Sequence, residues 1–155
     1  MTNSNSNGKA STTKKFFSRT TEVGLDIQAD SSIIWALLTN AADFPRWNST
    51  VLSIEGNIEP QGKIKLKSTL DPKRVFQLKV KEFISDQKLV WGDAMGARVY
   101  TLVNKGNGLT HFYMHEKIGG PLFPLFAKMI PAFDKPFEQF ASDLKKEAES
   151  ISNSN

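Results

Sequence analysis

The chain of 155 residues contains no cysteine. Disulfides, thiolate nucleophiles and thiolate metal sites are therefore excluded. Histidine is almost absent too, with only His111 and His115. They fall four apart in a stretch read below as a strand, so they share a face but stand ~13 Å apart at ~3.3 Å per residue. One metal cannot bridge that gap, so no metal site is expected, and both rings are expected to face solvent. No run approaches the ~20 apolar residues that cross a bilayer, and the N-terminus lacks the apolar core of a secretory signal. With no cysteine and no signal, a cytoplasmic protein is expected. Phosphate-binding and nucleophile motifs are missing as well. Residues 56–64 approach a P-loop, but five residues separate the glycines and Ile64 stands where Ser or Thr must meet magnesium. There is no G-x-S-x-G elbow. No cofactor is expected.

Charge of one sign is also scarce. Twenty Lys and Arg against sixteen Asp and Glu leave a net +4, part of it at Lys9, Lys14, Lys15 and Arg19. Nucleic-acid binders of this size carry a denser basic patch interleaved with aromatics, so no nucleic-acid partner is expected. Residues 1–18 and 151–155 are rich in Asn, Ser, Thr, Gly and Lys, and they read as disordered tails that bury too little to order themselves. A single domain over 20–150 remains.

What is present is a change of period along the chain. Residues 22–28 alternate apolar and polar as a half-buried strand does. Asp30 or Ser31 can cap a helix carrying Ile33, Ile34, Leu37 and Leu38, and Pro45 ends or redirects a second short helix. A meander follows, with strands at 51–54, 62–68, 74–83, 89–95, 98–104 and 109–118, turned at Asp71-Pro72 and Gly106-Asn107-Gly108. From Pro121 the period becomes helical. Phe133, Phe137, Phe140, Leu144 and Ala148 form one stripe, while Pro131 and Pro136 break or kink it away from a preceding piece over 122–130. One antiparallel sheet with one long amphipathic helix is an α+β layer fold. If the sheet curls around the helix, aromatics on both walls line a pocket between them.

Four strings in this order carry a resemblance: Ile34-Trp35-Ala36-Leu37-Leu38-Thr39, Phe44-Pro45-Arg46-Trp47-Asn48, Leu89-Val90-Trp91-Gly92, and His115-Glu116-Lys117-Ile118-Gly119-Gly120-Pro121-Leu122. Over roughly residues 20–149 the chain resembles the SRPBCC or START-like superfamily, and within it small bacterial proteins of the polyketide cyclase/dehydrase-like kind. The resemblance implies a helix-grip fold, a curved seven-stranded antiparallel sheet wrapped around the long C-terminal helix, with two short helices between strands 1 and 2. It also implies an apolar cavity for a lipid, polyketide or aromatic. Members often place His or Gln two positions before the Glu of the last strand; here that position is Met114, with His115 adjacent on the opposite face.

The expected function is binding or carriage of a hydrophobic small molecule; the alternative is an enzyme of polyketide cyclase/dehydrase type. Glu116 shares a face with Phe112, Met114 and Ile118. If that face lines a cavity, burial would raise its pKa and suit it to proton transfer, acting with Asp93, Arg98 or Tyr100. A structural hydrogen bond to Trp91 or Arg98 is the competing reading. Expected ligand contacts are Phe44 and Trp47 near the mouth, Phe76 and Leu78 on one strand, and Trp91, Asp93, Arg98 and Tyr100 on the next two. Phe112 and Met114 on the last strand complete the sheet wall. Phe126, Met129, Ile130, Phe133 and Phe137 form a greasy helical wall suited to loose specificity. Lys63, Lys65, Lys67, Lys79 and Lys81 alternate outward on paired strands, as a soluble outer face or as a dock for an anionic membrane surface. Monomer and homodimer both stay open.

Overall fold

The computed structural model describes residues 7–154. A hairpin of β1 (Ser11–Lys14) and β2 (Ser18–Ile27) leads into α1 (Ser31–Thr39), a 3₁₀ turn (Ala41–Asp43) and α2 (Phe44–Trp47). The meander comprises β3 (Val51–Gly56), β4 (Lys63–Ser68), β5 (Phe76–Ile84), β6 (Lys88–Gly92), β7 (Gly96–Gly106) and β8 (Leu109–Gly119). Then come α3 (Phe123–Phe126), a 3₁₀ turn (Ala127–Met129) and α4 (Asp134–Asn153). The strands form one antiparallel sheet in the order β1-β2-β8-β7-β6-β5-β4-β3. Every link from β3 to β8 joins neighbours, and the helical crossover from β2 to β3 carries the chain between the two ends of that meander.

The alternation read in the sequence sets the faces. Val23, Leu25 and Ile27 of β2 and Phe112 and Met114 of β8 all point into the core. Asn107 and Gly108 take positive φ of 55° and 72°, the primed geometry that an Asn-Gly hairpin favours. Register shifts between Val51 and Ser53, Val80 and Glu82, and Asn104 and Gly106 mark bulges that bend the strands around the helix. In α4, Phe137, Phe140, Ala141, Leu144 and Ala148 are buried, and Pro136 sits in the first turn, where its missing N–H costs nothing.

Three expectations change. The sheet has eight strands among the described residues, because β1 adds an edge to the expected seven. That strand lies inside 1–18, which read as a disordered tail. Its polar side chains find partners: Thr12 donates to Asp134 Oδ1 at 2.6 Å and pairs with Thr21 at 2.9 Å, and the Ala10 amide donates to Glu138 Oε2 at 2.9 Å. At the other end α4 continues to Asn153, into the expected 151–155 tail; residues 1–6 and 155 lie outside the described residues. Finally, the histidines are not solvent-facing. His111 is buried opposite Asp26 of β2, its Nδ1 2.7 Å from Asp26 Oδ1, and His115 is partly buried.

Candidate functional site

The space between sheet and α4 is filled at one end and hollow at the other. Phe140 stands at the centre of the filled end, with ring centroids 6.0 Å from Phe44, 6.1 Å from Trp47, 5.6 Å from Tyr100 and 6.4 Å from Phe112. Toward the N-terminus of α4 this block gives way to a cavity of about 210 Å³. Its walls are the inward residues of β4 to β8, and its roof is the connection from Met129 through Phe133 to Phe137.

Of the expected contacts, Phe76, Leu78, Trp91, Asp93, Arg98 and Glu116 line the sheet side of this cavity, and Met129, Ile130, Phe133 and Phe137 line its helical side. Phe44, Trp47, Tyr100, Phe112 and Met114 do not reach it; they pack into the block or the core beside it. Phe126 is partly buried in α3 and also stays outside. Sequence reasoning passed over Leu66, Met95 and Ile118, which line the cavity too. Leu66 and Ile118 were within reach of it, since Leu66 alternates with the outward Lys65 and Lys67 and Ile118 shares a face with Glu116.

The polar groups of the cavity are few. Arg98 Nε donates to Glu116 Oε1 at 2.7 Å, across the β7–β8 register that sets the two residues opposite each other. The Tyr100 hydroxyl lies beside the same guanidinium. The guanidinium carbon also lies 4.9 Å from the Phe137 centroid and 5.9 Å from that of Phe140. Burial works against the Arg98 charge, but Glu116 and Tyr100 beside it outweigh burial and raise its pKa. Burial pushes the Tyr100 hydroxyl up to about 12, with Arg98 pulling the other way. Asp93 is committed elsewhere: its Oδ1 accepts from the Met95 and Gly96 amides at 2.8 and 3.1 Å, closing the β6–β7 turn. Glu116 thus faces a guanidinium as well as apolar walls.

The roof is tied down by Arg19. It is buried on β2 and donates to the carbonyls of Ile130 and Pro131 at 3.2 and 2.7 Å, with its carbon 5.1 Å from the Phe133 centroid. Lys63, Lys65, Lys67, Lys79 and Lys81 are all exposed, and Lys63 pairs directly with Lys79. Among the described residues no group of three His, Asp or Glu side chains could hold a metal ion. Among the described residues no helix is long and apolar enough to cross a membrane.

No protein-family model and no curated sequence matches the chain. Shape does match. A START superfamily protein from Mycobacterium smegmatis superposes with a TM-score of 0.63 at 14% identity, covering 85% of this chain and 98% of its own. A conserved protein of unknown function from Enterococcus faecalis gives 0.68 at 14%, covering 94% and 80%. Norcoclaurine synthase from Thalictrum flavum, solved as a point mutant with a transition-state analogue, gives 0.64 at 12%, covering 91% and 98%. An antiparallel sheet bent around a long C-terminal helix, with two short helices after its second strand and these neighbours in shape, is the START-like helix-grip fold.

Proposed function

We propose that the protein binds a small hydrophobic molecule in the cavity between its sheet and α4. The observation that carries this reading is a hollow lined by Leu66, Leu78, Trp91, Ile118 and Phe137 with one ion pair, Arg98–Glu116, set into its wall. Binding pockets combine such apolar walls with a few placed polar groups. An apolar cavity of about 150 Å³ admits benzene, so about 210 Å³ suits a guest of one or two rings or a short alkyl chain. A carbonyl or carboxylate on that guest would find the Arg98 guanidinium, which Glu116 engages through Nε. Native mass spectrometry of the purified protein, with titration of an environment-sensitive apolar dye, tests the reading. One equivalent of dye should bind, and Ile118→Trp, which fills the hollow, should weaken binding more than tenfold with the fold intact. Dye binding unchanged by Ile118→Trp would remove the proposal.

The pairing of Arg98 with Glu116 also favours a second reading, in which Glu116 moves a proton on a ketone-bearing guest. Turnover retained in Glu116→Gln would end it.

A further inference from the structure

Antiparallel pairing brings four turns to the cavity's end of the sheet: β1–β2, β4–β5, β6–β7 and the exit from β8. Backbone hydrogen bonds fix this, with the Gly120 amide donating to the Phe17 carbonyl and the Gly119 amide to the Met95 carbonyl, both at 3.0 Å. Most of the exposed large apolar side chains among the described residues gather here, with Leu52, Ile84 and Val103 lying elsewhere. Phe16 is 73% exposed and Phe17 55% on the first turn, with Met95 41% exposed beside them. In the segment that follows β8, Leu122, Leu125 and Met129 are 61%, 78% and 81% exposed. Leu122 precedes α3, Leu125 lies in it and Met129 ends the 3₁₀ turn after it. Between them Phe123 is buried and Phe126 partly buried. The segment from Pro121 to Pro131 is thus apolar both inward and outward, with Lys128 its single charge.

Soluble surfaces scatter such side chains singly; a contiguous group marks an interaction site. The charge around this group identifies the occupant. Across residues 14–17, 70–75, 93–95 and 120–130 the basic residues are Lys14, Lys15, Lys73, Arg74 and Lys128, against Asp71 and Asp93. The Asp93 carboxylate is turned into its own loop. Apolar side chains ringed by lysines suit a lipid surface with anionic headgroups, where the apolar groups enter the acyl boundary and the lysines meet phosphates.

We propose that the cavity end of the molecule docks on an anionic membrane, inserting Leu125 and Met129 together with the Phe16–Phe17 turn. This goes beyond the cavity reading and does not need it, because docking is read from lipid binding and not from a guest. The contact differs from the lysines of the β4–β5 face, which offer charge alone. Docking would place the cavity's roof, held by Arg19, directly against the lipid.

Flotation with large unilamellar vesicles tests the proposal. Vesicles of phosphatidylcholine containing phosphatidylserine should carry the protein up, and pure phosphatidylcholine should carry far less. Each lysine near an anionic surface multiplies the partition coefficient by about five, so Lys15→Glu with Lys128→Glu should lower it more than about twentyfold. Leu125→Asp with Met129→Asp should lower it more than about tenfold. Both changes are exposed, so circular dichroism should show an unchanged fold. Because the chain has no cysteine, Leu125→Cys gives a single labelling site for a nitrobenzoxadiazole dye. Its emission should shift to the blue on adding vesicles, while the same label at Lys65→Cys should not respond. Absence of vesicle binding, a silent label at position 125, or binding lost through Lys63, Lys65 and Lys67 reversal with the rim variants unaffected would overturn it. A protein that floats yet binds no apolar dye would sink the cavity reading alone.

Discussion

Glu116→Gln takes the carboxylate from Arg98 and leaves the guanidinium charged against apolar walls. The two side chains are 13% and 18% exposed, so the pair is mostly withdrawn from water. Removing one partner of a buried pair costs ~3–5 kcal/mol. The Phe137 and Phe140 faces hold the cation in both proteins and cancel in the difference, whereas the amide oxygen of the introduced glutamine can still accept from Arg98 Nε and keeps ~1–2 kcal/mol. A net loss of ~2–3 kcal/mol is expected. At about 2–4 °C per kcal/mol for a domain this size, Tm should fall by ~5–10 °C. The double variant Arg98→Met with Glu116→Leu removes both charges and should recover most of that loss, because no unpaired charge remains. Thermal unfolding of the four proteins in a double-mutant cycle gives the coupling directly. If Glu116→Gln melts within a degree of the parent, or the double variant falls as far as the single one, the reasoning about a buried counter-ion is wrong.

Two further outcomes follow from the packing and from the outer face. Phe140→Ala should cost ~3–5 kcal/mol, seen as a Tm lower by ~10 °C or more, since its ring touches four aromatic neighbours and only 1% of it is exposed; a loss below ~1 kcal/mol would show that the filled end relaxes freely. Burial lowers the His115 pKa below its ordinary 6.5, with Glu22 opposing and Lys88 reinforcing the shift. In the interval between the folded value and 6.5 the unfolded chain therefore binds more protons than the folded protein. Stability should be full above that interval and decline as pH falls through it. Urea midpoints between pH 7.5 and 5.5 should decline less in His115→Asn, and an identical slope in both proteins would refute burial as the cause.

The architecture was legible because period is a local property. The step from alternation over β2–β8 to three-four spacing in α4 needs no knowledge of which strand lies beside which. The site was legible only in part, because lining depends on where along the helix the packing stops. Phe112 and Phe137 both face the interior by pattern, yet Phe140 fills the space before Phe112 and leaves Phe137 beside the hollow. Residue type misled at the N-terminus. Thr12 looked like tail composition, but a threonine opposite Thr21 and within reach of Asp134 can hold an edge strand, and those partners lie nine and over a hundred residues away. His111 failed for a similar reason, as its cover is Asp26, which only the β2–β8 register brings opposite.

The division of the interior into a solid half and an empty half has a consequence for how such a protein can change. Leu66, Leu78 and Ile118 line the hollow and are not among the rings gathered about Phe140. Effects at sites that share no contact add independently. If the hollow takes a guest as proposed, substitutions at those three positions would alter guest preference first, while Arg98, set against both Phe137 and Phe140, ties the two halves together.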